Sequence, residues 1–106
     1  MSRKYENKIY DQLKNYRRIA EEVKKIIKKI DPEAKIYVFG SVVRGKFTGA
    51  SDIDILVITY KIDKKYDIMV NVYREIDAPI ELHIVTQEMY ERWYKKFINE
   101  KELVNI

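Results

Sequence analysis

Residues 35–59, KIYVFGSVVRGKFTGASDIDILVIT, decide the fold. The segment opens with Lys35-Ile36-Tyr37-Val38-Phe39, β-branched and aromatic, and runs straight into Gly40, which predicts a strand ending in a tight turn. Gly40, Gly45 and Gly49 are the only glycines of the chain, and they fall within ten residues of one another. Glycine costs order wherever it is not needed, so this concentration predicts a shaped loop in which backbone approaches a ligand closely. The segment closes with Asp52-Ile53-Asp54-Ile55-Leu56-Val57-Ile58-Thr59, apolar on both faces beyond Asp54, as in a strand at the centre of a sheet. Two aspartates stand at its entrance.

Upstream of this segment, Ile9, Leu13, Tyr16, Ile19, Ala20, Val23, Ile26, Ile27 and Ile30 recur at steps of three and four. They predict one long amphipathic helix over residues 5–30, stopped by Asp31-Pro32 because proline restricts the residue before it and offers no N–H. Downstream, residues 61–67 read as a polar connection. Met69, Val72, Tyr73 and Ile76 then share a helix face, and that helix ends before Pro79. Ile80, Leu82 and Ile84 alternate with Glu81, His83 and Val85, a strand with one apolar and one partly polar face. Thr86 is placed to cap a last helix carrying Met89, Trp93, Tyr94 and Phe97, for whose aromatic rings core packing is the leading reading and an exposed partner-binding patch the alternative, and the tail from Leu103 to Ile106 is short. The order predicts an α/β (α+β) fold, a small mixed β-sheet flanked by helices, in one domain spanning residues 1–106.

Composition excludes several classes of function. The chain has 106 residues, 46% hydrophobic and 36% charged, too apolar for a disordered chain, and no apolar run approaches the length of a membrane span. It has no cysteine, so a disulfide framework, a thiolate nucleophile and a cysteine zinc site are all excluded, and a cytoplasmic location is the expectation. Charge is uneven: residues 1–30 carry net +6 and residues 31–106 net −2. With no base-reading motif beside it, the basic first segment reads as a solvated helix face, and direct nucleic-acid binding ranks last among the function classes.

The two aspartates lie two apart, so on a strand their side chains leave the same face. Carboxylates converging there repel one another unless a cation lies between them, and a hard Mg²⁺ ion with oxygen ligands fits that need. A lone D-x-D is a weak signal, because seven aspartates in 106 residues place two at this spacing by chance often enough. Gly40-Ser41 strengthens it. Gly40 lets backbone N–H groups approach a phosphate, Ser41 offers a hydroxyl, and a short helical turn after them favours negative charge. Glu81 supplies a third carboxylate if its strand lies beside the aspartates. His83 shares the face of Glu81 and reads first as structural, with help to a metal, phosphate or proton as the alternative, while Arg44 and Lys46 read equally as general phosphate attraction and as specific contacts.

The pattern G-S-x₁₀-D-x-D, here Gly40 to Asp54 with Arg44, Gly45 and Ser51 inside it, resembles the signature of the DNA polymerase β-like nucleotidyltransferase superfamily. The length of the chain is similar to that of the minimal nucleotidyltransferases (MNT). The resemblance implies the polymerase β-like fold. It implies that Asp52, Asp54 and Glu81 are the catalytic residues and hold two Mg²⁺ ions, with Glu81 standing where aspartate is frequent. It implies further that Gly40, Ser41, Arg44 and Ser51 bind the nucleoside triphosphate, ATP. Such proteins often pair with a small helical HEPN protein as the antitoxin half of a toxin–antitoxin module, and some transfer AMP to a tyrosine of that partner. The expected reaction is in-line attack of an acceptor hydroxyl on the α-phosphorus. The alternative is a non-catalytic antitoxin that neutralises its partner by occlusion.

Overall fold

The computed structural model describes residues 3–106. Its elements are α1 (Arg3–Lys14), α2 (Tyr16–Ile30), β1 (Lys35–Phe39), α3 (Ser41–Arg44), β2 (Ile53–Ile58), α4 (Lys65–Glu75), β3 (Ile80–Val85), α5 (Gln87–Arg92) and β4 (Val104–Asn105), with 3₁₀ turns at Ile62–Lys64, Tyr94–Lys96 and Glu100–Glu102. The strand order is β3-β2-β1-β4. Strands β1 and β2 run antiparallel through the glycine loop, β2 and β3 run parallel, and β4 pairs antiparallel with β1. A mixed sheet flanked by helices is therefore present. The α4 crossover is what makes β2 and β3 parallel, since parallel neighbours need a connection longer than a hairpin.

The sheet has two unlike faces. On one, Ile36, Val38, Ile53, Ile55, Val57, Ile80 and Ile84 are buried against Leu13 of α1, Ile19, Ala20, Val23 and Ile27 of α2 and Ile68 and Val72 of α4. Each such side chain contributes roughly 1.5–3 kcal/mol by leaving water. On the other, Leu56, Ile58 and Val85 meet Tyr90 and Ile98, with Tyr37, Phe39, Met89, Tyr94 and Leu103 at the margin. That second cluster covers only part of its face. The part left open carries Asp54 and Glu81.

The helical run expected over residues 5–30 is interrupted at Asn15, where φ −104° and ψ 39° leave the helical region. The Asn15 side-chain amide donates to the Asp11 carbonyl at 2.9 Å. Asparagine competes for local backbone groups in this way, which hydrophobic spacing does not reveal. At the far end of α2, Asp31 does more than stop the helix. Its carboxylate is 1% exposed and accepts from the Thr59 hydroxyl at 2.6 Å, the Tyr60 N–H at 3.0 Å and the Glu33 N–H at 3.0 Å. Burial pushes this carboxyl up, but those hydrogen bonds and the nearby charge of Lys61 outweigh burial and hold it below its ordinary value.

Three further expectations are corrected. Helix α4 buries Ile68 with Val72, whereas Tyr73 is largely exposed and its hydroxyl accepts from the Leu82 N–H of the edge strand at 3.1 Å. Helix α5 begins at the Thr86 cap, whose hydroxyl accepts from the Met89 N–H, but ends at Arg92. The chain then tightens into a 3₁₀ turn that lays Tyr94 and Ile98 on the sheet, so Trp93 and Phe97 are exposed and do not join the core. The tail is also a strand, because the outer edge of β1 leaves backbone groups that β4 satisfies.

Candidate active site

Register builds the site. Phe39 of β1 is opposite Asp54 of β2, and Asp54 is beside Glu81 of β3, so three strands bring their ends to one place. Parallel in-register residues share a face, and His83, two residues beyond Glu81, shares it too. Oxygen atoms of Asp54 and Glu81 and a ring nitrogen of His83 all lie within 4.8 Å of one another. His83 Nε2 is 3.3 Å from Asp54 Oδ1 and 4.0 Å from Glu81 Oε1. The imidazole ring is held between Phe39, at a centroid distance of 5.2 Å, and Tyr94 at 5.9 Å. Asp54 and His83 are about three-quarters buried and Glu81 is more open, so the cluster forms the floor of a surface site.

The glycine loop is fitted to this floor. Gly40 has φ +86°, and a Cβ placed on it would lie 2.5 Å from Asp54 Oδ2. Any other residue would be strained and would displace the carboxylate. Ser41 then opens the one-turn helix α3, whose carbonyl bonds begin with the Val43 and Arg44 N–H groups donating to the Gly40 carbonyl at 3.1 and 3.2 Å. The first N–H groups of a helical turn have no acceptor within it, so those at the start of α3 are available to a ligand. Gly45, at φ +71°, closes the turn in the left-handed region.

The remaining residues named from the sequence are distributed differently. Asp52 is exposed one position ahead of β2 and lies outside the Asp54–Glu81–His83 group. Arg44 is exposed, with its guanidinium 3.4 Å from Glu102 of the C-terminal 3₁₀ turn. An exposed pair of that length contributes little to stability. Ser51 accepts from the Thr48 N–H at 3.0 Å and donates its own N–H to the Thr48 carbonyl, so its hydroxyl shapes the loop. His83, read from sequence as structural, stands in contact with both carboxylates; its two-residue spacing from Glu81 was the available signal.

Among the described residues neither Asp54 nor Glu81 is paired with a lysine or arginine, and the one partner capable of positive charge is His83. Two carboxylates placed on one face without a fixed cation form a donor set that fits a divalent metal ion.

This fold is that of a nucleotidyl-transferring protein, and the chain belongs to the nucleotidyltransferase domain family, whose model matches residues 20–106. It is similar to a crystal structure described as a "putative nucleotidyltransferase", at 30% identity and a TM-score of 0.66, over 81% of this chain and 95% of that one. A second, described in the same words and from Sulfolobus solfataricus, shares the fold at 24% identity and a TM-score of 0.62, over 92% of this chain and 84% of that one. No curated protein matches the chain.

Proposed function

We propose that the chain transfers AMP from ATP to a hydroxyl acceptor on a partner protein, a tyrosine of a small helical HEPN-type toxin, and so acts as an antitoxin. The observation that carries nucleotidyl transfer is the meeting of Asp54 and Glu81 on adjacent strands with Gly40 pressed against Asp54. The toxin partner and the tyrosine rest on the likeness of residues 40–54 to the minimal nucleotidyltransferases.

Asp54 and Glu81 would hold the divalent ion, and Asp52, exposed one position ahead of β2, would add a third carboxylate. When bound, such ions neutralise triphosphate charge and make an acceptor hydroxyl easier to deprotonate. The residues themselves do the positioning. Gly40 leaves room for the Asp54 carboxylate at the strand end, the opening N–H groups of α3 and the Ser41 hydroxyl are offered to phosphate oxygens, and Arg44 adds positive charge. The acceptor oxygen forms a bond to the α-phosphorus as the bond to the β-phosphate oxygen breaks, pyrophosphate leaves, and the hydroxyl proton is released to solvent. The part of the sheet face outside the cluster of Leu56, Ile58, Val85, Tyr90 and Ile98 is where the acceptor would approach.

The test is label transfer from α-³²P ATP with Mg²⁺ into a lysate of the source cells, comparing the native chain with Asp52→Asn and Asp54→Asn. A labelled protein seen only with the native chain is expected, and mass spectrometry then identifies the modified residue. If a folded chain that binds Mg·ATP labels nothing yet still neutralises its partner, occlusion is the function.

A further inference from the structure

We infer that His83 is itself a metal ligand, and that the Asp54–Glu81–His83 group is a mixed imidazole–carboxylate site favouring a transition-metal ion over Mg²⁺. The inference rests on the nucleotidyl-transfer reading above and specifies its cation. Two neighbouring ligand atoms on one ion, each bonded at about 2.0–2.2 Å, sit roughly 2.8–3.6 Å apart in tetrahedral or octahedral arrangements. His83 Nε2 lies 3.3 Å from the Asp54 oxygen, inside that range, and 4.0 Å from the Glu81 oxygen, whose exposed side chain has only a few tenths of an ångström to close.

The surroundings fix the ring in this position. Phe39 and Tyr94 both pack against it, and their strand and turn are pinned by the second apolar cluster. The ring is therefore aimed at the carboxylates before any ion arrives, and little ordering cost is left for binding. A neutral imidazole binds through Nε2 with its single proton on Nδ1. Magnesium keeps oxygen ligands and water, whereas imidazole suits first-row transition metals, iron, nickel, copper and zinc above all. A neutral imidazole in place of a water ligand thus shifts preference away from Mg²⁺ without changing the charge of the site.

His83 is the sole histidine of the chain, which gives an unambiguous probe. The experiment loads the full chain, with ¹⁵N-labelled histidine, with MnCl₂ and α,β-methylene-ATP, and records pulsed EPR of the bound Mn²⁺ together with Mn²⁺ and Mg²⁺ affinities. Direct coordination predicts a ¹⁵N coupling from the native chain. It also predicts at least a tenfold fall in Mn²⁺ affinity for His83→Gln, with Mg²⁺ affinity nearly unchanged. Bound Mn²⁺ with no ¹⁵N coupling, or equal losses for both metals, overturns the inference and makes His83 a hydrogen-bonding support for Asp54, leaving nucleotidyl transfer intact. Absence of binding by either metal overturns both readings. The coupling is measured on the native chain, so the result does not depend on the variant folding.

Discussion

The two faces of the sheet are built from the same three strands and do opposite things. Ile53 and Ile55 on one side of β2 are fully buried under α2 and α4, whereas Asp54, between them, looks out on the other side where cover stops short. One face is closed because two long amphipathic helices lie across its whole length. The other is closed only over Leu56, Ile58 and Val85, because the C-terminal segment that covers it is made of one short helix and 3₁₀ turns. Full cover supplies stability and partial cover supplies a site, so adjacent residues of a single strand divide the two tasks.

Substitutions on either side of that division test it, and the largest separation is expected at Asp54 and Ile55. Asp54→Asn should lower nucleotidyl transfer by about 10²–10³-fold, the scale of losing one preorganised electrostatic group, while the urea midpoint stays where it was. A large drop in stability instead would mean that the open face also carries the fold. Ile55→Ala should do the reverse, costing about 2–5 kcal/mol in urea unfolding through a cavity under the helices, with metal binding by the folded fraction retained.

Gly40→Ala joins the two effects. Its new methyl group meets Asp54 and its positive φ becomes strained by about 1–2 kcal/mol, so both transfer and thermal stability should fall although no polar group is removed. Asp31 sharpens the comparison from outside the site. Its carboxyl is held below its ordinary value, so the stability it contributes is fully present above the unfolded-state pKa and is lost as pH falls through the lower folded value. Asp31→Asn should therefore flatten the acid limb of a stability–pH curve, with transfer near neutrality unchanged. The smallest effect belongs to Phe97, which is 86% exposed: Phe97→Ser should change stability by less than about 0.5 kcal/mol in a melting experiment.

Much of this was legible from periodicity. The strands at 35–39, 53–58 and 80–85, the helix after the second of them and the Thr86 cap follow from patterns of two, of three and four, and from a hydroxyl before a helix. Asn15, Trp93 and Phe97 were not legible, because their spacing continues a helical pattern that local hydrogen bonding and a 3₁₀ turn cut short. Asp31 read as a helix stop because its partners Thr59 and Tyr60 are distant in sequence. Gly40 was visible as a glycine at a turn, though the reason for it, the carboxylate of Asp54 lying where a side chain would go, needed coordinates.

The sequence by itself determined which residue types were available to a phosphate and a cation and which strands carried them, since glycine freedom, carboxylate charge and alternation are local properties. Only the tertiary structure decided which of them meet. Parallel register between β2 and β3 set Asp54 beside Glu81 and drew His83 into the group, while the start of β2 at Ile53 left Asp52 at its edge. Register is a long-range property, fixed by how the apolar faces of three strands and two helices are buried together, and a side chain's neighbours across a sheet follow from that packing.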